Sequence, residues 1–160
     1  MLILGIDPGL RITGYGLVRL TLGRVKLLEA GVLRMKTGGA KDDLATRLLE
    51  LHEHLTALIK ETTPARMAVE QLYAHYKHPR TAILMGHARG AILLAAAQHG
   101  IPVTNMPSTL VKRTITGNGH AAKSQVQRAI ANLCQLAKPP EPPDVADAIA
   151  IAWTLATRLA

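Results

Sequence analysis

The segment from Leu2 to Gly9, with the sequence LILGIDPG, decides how the rest of the chain is interpreted. Its apolar run is typical of a buried central strand, and this strand ends on one carboxylate, Asp7. Pro8 and Gly9 then turn the chain. Asp7 therefore lies at a strand end, where open α/β sheets place their sites, and a carboxylate there needs hydrogen bonds, a cation or a metal ion. A second interpretation stays open, in which Asp7 only caps the Pro-Gly turn.

The composition is that of a small basic protein. Its 160 residues suffice for one compact domain with its own core, and we expect 1–160 to form that domain. Nineteen Lys and Arg against eleven Asp and Glu give a formal charge of +8, which favours a polyanionic partner such as nucleic acid. A single cysteine, Cys134, excludes an internal disulfide, the start lacks a signal-peptide pattern, and no apolar run approaches the roughly 20 residues that span a bilayer. We therefore expect a cytoplasmic protein with no membrane role.

The spacing of apolar residues predicts strands that alternate with helices. Strands are expected at 2–7, 13–20, 25–35, 67–70 and 101–106, and short links make the first three an antiparallel meander. Helices are expected at 42–61, at 78–98, after a cap at Ser108 or Thr109, at 123–136 and at 144–160. A stiff proline connector, 138–143, precedes the last helix.

Four acidic residues stand at the ends of apolar elements: Asp7, Glu70, Asp144 and Asp147. Asp144 and Asp147 are three residues apart, so both project from one face of the first turn of a helix. If strands one and four are neighbours and the last helix packs beside them, the four carboxylates converge. Two Mg²⁺ or Mn²⁺ ions, roughly 3.5–4 Å apart, would relieve their repulsion and promote hydrolysis of a phosphodiester. Taken singly, Asp144 could be a helix N-cap and Glu70 a salt-bridged strand terminus.

Five segments, which span nearly the whole chain, carry a resemblance to a known family. They are 3–16 (ILGIDPGLRITGYG), 69–71 (VEQ), 87–91 (HARGA), 112–123 (KRTITGNGHAAK) and 144–152 (DVADAIAIA). In this order they resemble the RuvC family of Holliday-junction resolvases, within the ribonuclease-H-like superfamily. The resemblance implies an α/β fold with a five-stranded mixed β-sheet flanked by α-helices. It also implies a homodimer with two active sites that makes paired symmetric nicks in two like-polarity strands of a four-way DNA junction.

The same resemblance assigns roles to individual residues. Asp7, Glu70, Asp144 and Asp147 become metal ligands, while Lys112 and Lys123 contact DNA at or near the scissile phosphate. Our hypothesis is that Asp7 bridges two Mg²⁺ or Mn²⁺ ions, that Glu70 completes one site, and that Asp147 with Asp144 completes the other. Our hypothesis is that water attacks the phosphorus in line and leaves a 5′-phosphate and a 3′-hydroxyl, while Lys123 stabilises the developing charge. A RuvA–RuvB branch-migration complex is the partner that the resemblance suggests.

Further residues are candidates for DNA contact. Lys112 and Lys123 flank a Gly-Asn-Gly turn, around Asn118, whose exposed amides suit a phosphate. Positive charge is added nearby by Arg113, His120 and Arg128. A solvated basic face would show the same charges.

The loop 72–80 (LYAHYKHPR) mixes aromatic and basic side chains, a composition that suits stacking on unpaired bases. The family tends to have a Phe, thought to wedge into the junction core, at the position of Tyr73. Tyr73 is therefore the first candidate and Tyr76 the second, with Lys77 and Arg80 as basic neighbours, although a packed core tyrosine would fit as well. The following helix, with Ile83, Gly86 and Gly90, could pack closely in the core or form a dimer interface.

Two other functions remain open at this point. One is a junction-binding module without catalysis, which the four intact carboxylates disfavour. The other is a different ribonuclease-H-like nuclease, such as a YqgF-type RNA-processing enzyme, which the run at 117–123 disfavours.

Overall fold

The structure is a computed structural model that describes residues 1–36, 43–72 and 79–160. Within these ranges it has five strands and five helices. In chain order they are β1 (Leu2–Asp7), β2 (Ile12–Thr21), β3 (Arg24–Arg34), α1 (Leu44–Thr62), β4 (Arg66–Glu70), α2 (Pro79–Gln98), β5 (Val103–Met106), α3 (Ser108–Thr116), α4 (Lys123–Leu133) and α5 (Pro143–Arg158). The expected order of strands and helices is confirmed.

The five strands form one mixed sheet in the order β3-β2-β1-β4-β5. The first three strands pair antiparallel, as the meander predicts, while β1–β4 and β4–β5 are parallel. A two-residue turn at Leu22 and Gly23, both with positive φ, closes the hairpin of β2 and β3. Because β1 and β4 are parallel neighbours, their final residues, Asp7 and Glu70, lie at the same edge of the sheet.

Alternate residues of the central strands face two separate cores. Ile3 faces a core formed with α3, α4 and α5, while its neighbour Leu4 faces a core formed with α1 and α2. Both side chains are fully buried. The sheet is therefore covered by helices on both faces, and the α5 side is the side toward which Asp7 points.

Helix α5 crosses the sheet at positions where a side chain would not fit. A Cβ on Gly5 would lie 2.7 Å from the Cβ of Ala152, and one on Gly14 would lie 2.6 Å from the carbonyl carbon of Asp144. Gly14 is the partner of Asp7 in the β1–β2 register. The glycines thus set the height of α5 above the sheet at the end that carries the acidic residues.

Most element boundaries differ from the predictions by a few residues. Helix α1 begins at Leu44 because Asp43 is its N-cap, accepting a hydrogen bond of 2.7 Å from the Thr46 amide. Helix α4 ends at Leu133 rather than at residue 136, since Gln135 adopts a φ of 55°. The predicted first residues of the helices at 42 and 78 lie outside the described residues.

The predicted cap of α3 is wrong, and the alternative interpretation of Asp144 as a helix cap is excluded. Neither Ser108 nor Thr109 caps α3, because Pro107 occupies the N-cap position and Ser108 is the first helical residue. The N-cap of α5 is Pro142, followed by Pro143 in the first helical position, so Asp144 does not cap its helix. Proline suits the first helical position because its missing N–H has no partner there and its φ is already helical.

Among the residues that the structure describes, no helix is long and apolar enough to cross a membrane. Cys134, a free thiol, follows α4 as its C-cap and is half-buried. Burial raises the pKa of this thiol to about 11, so at neutral pH it is a neutral apolar group.

Candidate active site

Three of the four predicted carboxylates line one cleft at the edge of the sheet. Asp7 and Glu70 enter it from the ends of β1 and β4, and Asp147 enters from the second turn of α5. The cleft has a volume of about 210 Å³. The predicted convergence of these three residues is confirmed. It depends on the parallel pairing of β1 with β4 and on the close packing of α5 against Gly5 and Gly14.

Asp144 stands beside these three residues, at the border between this cleft and a neighbouring one. Its backbone packs on Gly14 of β2, so the residue lies on the β2 side of Asp7 and lines a neighbouring cleft. Asp147 lies nearly one helical turn further on, toward β4. The charge of Asp144 nevertheless acts on the group, because it raises the pKa of both Asp7 and Asp147.

The remaining walls of the cleft come from α3 and α4, with one residue, Ile151, from α5. Lys112 and Lys123 bring positive charge to it, as predicted, and Ser108 brings a hydroxyl group. Ser108 was interpreted as a helix cap, although its i,i+4 spacing from Lys112 could have placed it on the same face of α3. Apolar side chains complete the lining: Val111, Val126 and Ile151.

The cleft holds its carboxylates in an environment that favours their protonated forms. Burial, together with the charges of Glu70, Asp147 and Asp144, raises the pKa of Asp7 to about 8, although the Lys123 ammonium lowers it. Burial also raises the pKa of Glu70 and that of Asp147. Glu70 accepts a hydrogen bond from Asp7, which partly offsets the rise in its own pKa. At neutral pH the metal-free site therefore keeps a proton on Asp7.

Two lysines partly neutralise the negative charge of these carboxylates. The Lys123 ammonium lies 3.6 Å from a carboxylate oxygen of Asp147, and it lowers the pKa of Asp147 and of Glu70. Lys112 acts in the same direction on both. The Lys123 side chain is 72% exposed, so it can reach a ligand in the cleft while it remains close to Asp147.

The turn that follows β1 is held by Thr13 rather than by Asp7. The Gly9 amide donates to the Thr13 hydroxyl at 3.1 Å, and that hydroxyl donates to the Gly9 carbonyl at 2.7 Å. The turn-capping role considered for Asp7 thus belongs to Thr13. Asp7 is left to face Glu70 and the cleft.

The residues present fit a hard divalent cation. All of the acidic donors are carboxylates, the ligands that Mg²⁺ and Mn²⁺ prefer, and a cation would replace the proton that Asp7 holds. Within the described ranges, no three acidic, histidine or cysteine side chains already stand close enough to enclose an ion.

The other described candidates for DNA contact do not line the cleft. Arg113, Asn118, His120 and Arg128 are exposed on α3, α4 and the turn between them, and Arg80 is exposed in the first turn of α2. The Asn118 carboxamide oxygen accepts the His120 amide at 2.9 Å, so this side chain also shapes the turn. Tyr73, Tyr76 and Lys77 lie outside the described residues.

Comparison with known proteins gives consistent matches. The family model described as "Crossover junction endodeoxyribonuclease RuvC" matches residues 3–155. A protein of that name from Rhodopirellula baltica is 50% identical over 149 residues, which are 93% of this chain and 82% of that protein. One from Moorella thermoacetica is 44% identical over 152 residues, covering 95% of this chain and 89% of that protein.

Solved structures agree with the sequence matches. The structure described as "T. thermophilus RuvC in complex with Holliday junction substrate" is 31% identical to this chain, with a TM-score of 0.88. The match covers 99% of this chain and 94% of the other. The predicted α/β, ribonuclease-H-like fold with a five-stranded mixed sheet is confirmed. The matches also support the resolvase hypothesis over the RNA-processing alternative.

Proposed function

The chain belongs to the RuvC family of crossover junction endodeoxyribonucleases, and from that premise we propose that it resolves four-way DNA junctions by metal-dependent hydrolysis of phosphodiesters. The nicks are paired and symmetric, they fall in two strands of like polarity, and each leaves a 5′-phosphate and a 3′-hydroxyl. The enzyme acts in recombination and DNA repair.

One observation carries this proposal: the carboxylates of Asp7, Glu70 and Asp147 share a cleft with Lys112 and Lys123. A phosphodiester brings negative charge, which a cluster of carboxylates alone would repel. The lysines attract the phosphate, while the carboxylates are suited to hold cations beside it. A cleft with both types of group is therefore suited to phosphodiester hydrolysis rather than to DNA binding alone.

Asp7, Glu70, Asp144 and Asp147 would hold two Mg²⁺ or Mn²⁺ ions. The chemistry that such ions supply is the activation of water and the stabilisation of the leaving oxygen. Asp7 must first release the proton that it holds at neutral pH in the metal-free site. Asp144 joins the ligand set from the adjoining cleft, and the position of its backbone on Gly14 keeps it beside Asp7.

The lysines act on the substrate directly. Lys123, exposed and 3.6 Å from Asp147, is placed to donate to a non-bridging oxygen of the scissile phosphate. As negative charge develops on the phosphoryl group, this interaction strengthens and lowers the barrier. Lys112, one turn from Ser108, binds the phosphate from the part of the wall that α3 forms. Arg113, Asn118, His120 and Arg80 bind the flanking DNA, and Tyr73, Tyr76 and Lys77 are proposed to contact the junction core.

We further propose that the protein acts as a homodimer, since two symmetric nicks require two sites. Apolar side chains are exposed along α2, where Ile83 is 63% and Leu94 is 54% exposed. A Cβ on Gly86 or Gly90 would have no neighbour within 4 Å, so these glycines do not serve close packing inside the chain. Helix α2 therefore offers a face for a second copy.

Three further expectations remain part of the proposal. The described ranges share one sheet with two cores, which supports a single nuclease domain over 1–160. A junction nuclease works where chromosomal DNA is recombined, which in a bacterial cell is the cytoplasm. A RuvA–RuvB branch-migration complex is its proposed partner.

The substrate is tested by offering three labelled nucleic acids: a four-way DNA junction, duplex DNA of the same sequence, and an RNA–DNA hybrid. We expect paired symmetric nicks in the junction alone, in the presence of Mg²⁺ or Mn²⁺, and their loss on chelation. Junction binding without nicks in either metal would favour a binding module, while preferential cutting of the hybrid would contradict the resolvase assignment.

A further inference from the structure

A second cleft of about 430 Å³ lies beside the catalytic cleft, on the other side of the first turn of α5. Asp144 forms part of its wall, and the charge of Asp144 acts on Asp7 in the catalytic cleft. The second cleft is lined by Arg11 from the β1–β2 loop, by Arg47 from α1 and by Thr81 from α2. The two clefts are thus neighbours across the acidic end of α5.

The backbone of Arg11 is fixed on both sides, whereas its side chain is exposed. The Arg11 carbonyl accepts a hydrogen bond of 3.1 Å from the Met35 amide, and the paired bonds of Gly9 with Thr13 close the loop around it. Across the described residues, no hydrogen bond or ion pair engages the Arg11 guanidinium. By comparison, the guanidinium of Arg89 donates to the side chain of Asn105. Within the described part of the chain, Arg11 is therefore a cation on a fixed backbone whose N–H donors have no partner.

The other walls match the parts of a nucleic-acid backbone. The Thr81 hydroxyl, in the first turn of α2, can donate to a phosphate oxygen. Leu84 and Met85 form an apolar wall that can contact a deoxyribose. A guanidinium prefers phosphate because its planar fork of N–H donors pairs with two oxygens at once.

We propose that this second cleft binds a backbone phosphate next to the scissile one in the cleaved strand, with Arg11 as its principal ligand. A DNA strand carries one phosphate per roughly 3.4 Å of duplex axis, so a strand held in the catalytic cleft must place its neighbouring phosphates close by. This inference rests on the proposed function. It adds a site that fixes the direction in which the cleaved strand leaves the catalytic cleft. Arg11 is thus a positioning residue for the reaction.

The first test compares Arg11→Gln with Arg24→Gln, which removes the same charge from the hairpin of β2 and β3 at the opposite end of the sheet. Arg11→Gln should raise the Kd for a four-way junction roughly fivefold to tenfold at about 0.1 M salt, and should reduce the salt slope of log K by about 0.9. Arg11→Lys should recover part of the loss. Equal effects of Arg11→Gln and Arg24→Gln would overturn the proposal.

A second test identifies the phosphate. Junctions that carry one neutral methylphosphonate at each position next to the scissile phosphate are titrated against the wild-type protein and Arg11→Gln. At the phosphate bound by Arg11, the methylphosphonate should weaken junction binding by the wild-type protein. The same methylphosphonate should cause no further loss of affinity in Arg11→Gln. If the methylphosphonate and Arg11→Gln weaken binding additively at every position, the proposed phosphate site is overturned. If the wild-type protein neither binds nor cuts the unmodified junction, the proposed function itself fails, which is a different outcome.

Discussion

At the level of single residues, Asp7 is a carboxyl group that the fold makes difficult to ionise. It is enclosed by the sheet edge and by α5, and three other acidic residues raise its pKa together with burial. A proton or a cation can neutralise the site, and the two compete for the same oxygens. The occupancy of the site should therefore depend on both pH and metal concentration.

This competition predicts a specific pH dependence of stability without metal. The pKa of Asp7 rises from an ordinary 3.8 to about 8 in the folded chain, so its contribution to stability is fully present below 3.8 and is lost as pH rises through about 8. In chelator, the Tm of the wild-type protein should fall by roughly 10 °C between pH 5 and about pH 8.5. Differential scanning calorimetry measures this directly.

Asp7→Asn is the control, because an amide stays neutral over the whole range. As pH rises, the Tm of this variant should fall less than the Tm of the wild-type protein. Addition of Mg²⁺ at about pH 8 should raise the Tm of the wild-type protein more than the Tm of Asp7→Asn. The pKa values of Glu70 and Asp147 are also raised, so the Tm of both proteins should keep some dependence on pH. Identical pH curves for the two proteins would show that Asp7 ionises normally.

At the level of elements, the position of α5 depends on the glycines beneath it. Gly14→Ala would place a methyl group against the backbone of Asp144, so α5 must rise or tilt. Displacing catalytic groups by about 1 Å can cost roughly 100-fold in rate, and overpacking costs about 1–3 kcal/mol of stability. We expect Gly14→Ala to fold, to bind a junction and to cleave it about 100-fold more slowly.

Gly31→Ala provides a matched control for that substitution. It adds the same methyl group to the neighbouring strand β3, where the new atom would lie 3.0 Å from the ring of Tyr15 and away from α5. Cleavage by this variant should stay within a few-fold of the wild-type rate. If Gly14→Ala cleaves as fast as Gly31→Ala, the close packing of α5 on Gly14 does not set the geometry of the active site.

The elements also show which features a sequence can predict. Asp7 and Glu70 end apolar runs, and Asp147 follows at helical spacing, so local patterns were sufficient to select them. The division between the two clefts was not predictable, because it depends on where the backbone of Asp144 rests on Gly14. The role of Ser108 was missed for a related reason: Pro107 fills the cap position that a serine commonly takes.

At the level of the whole molecule, the exposed apolar face of α2 predicts an assembly. Leu94→Asp should disrupt a dimer built on this face, since a buried, unpaired charge at an interface is costly. Analytical ultracentrifugation should report a monomer, and cleavage should give single nicks instead of paired ones. Leu22→Asp, at the 97% exposed tip of the β2–β3 hairpin, should remain dimeric. A dimeric Leu94→Asp protein would place the interface elsewhere.

The measurement that tests the central claim most directly is cleavage of a labelled four-way junction by Asp7→Asn beside the wild-type protein, with junction affinity measured in parallel. The variant should bind the junction as tightly as the wild-type protein and cleave it at least about a thousandfold more slowly, because a cation contributes several kcal/mol to the transition state. Wild-type cleavage rates in Asp7→Asn would contradict the assignment of this cleft as the active site.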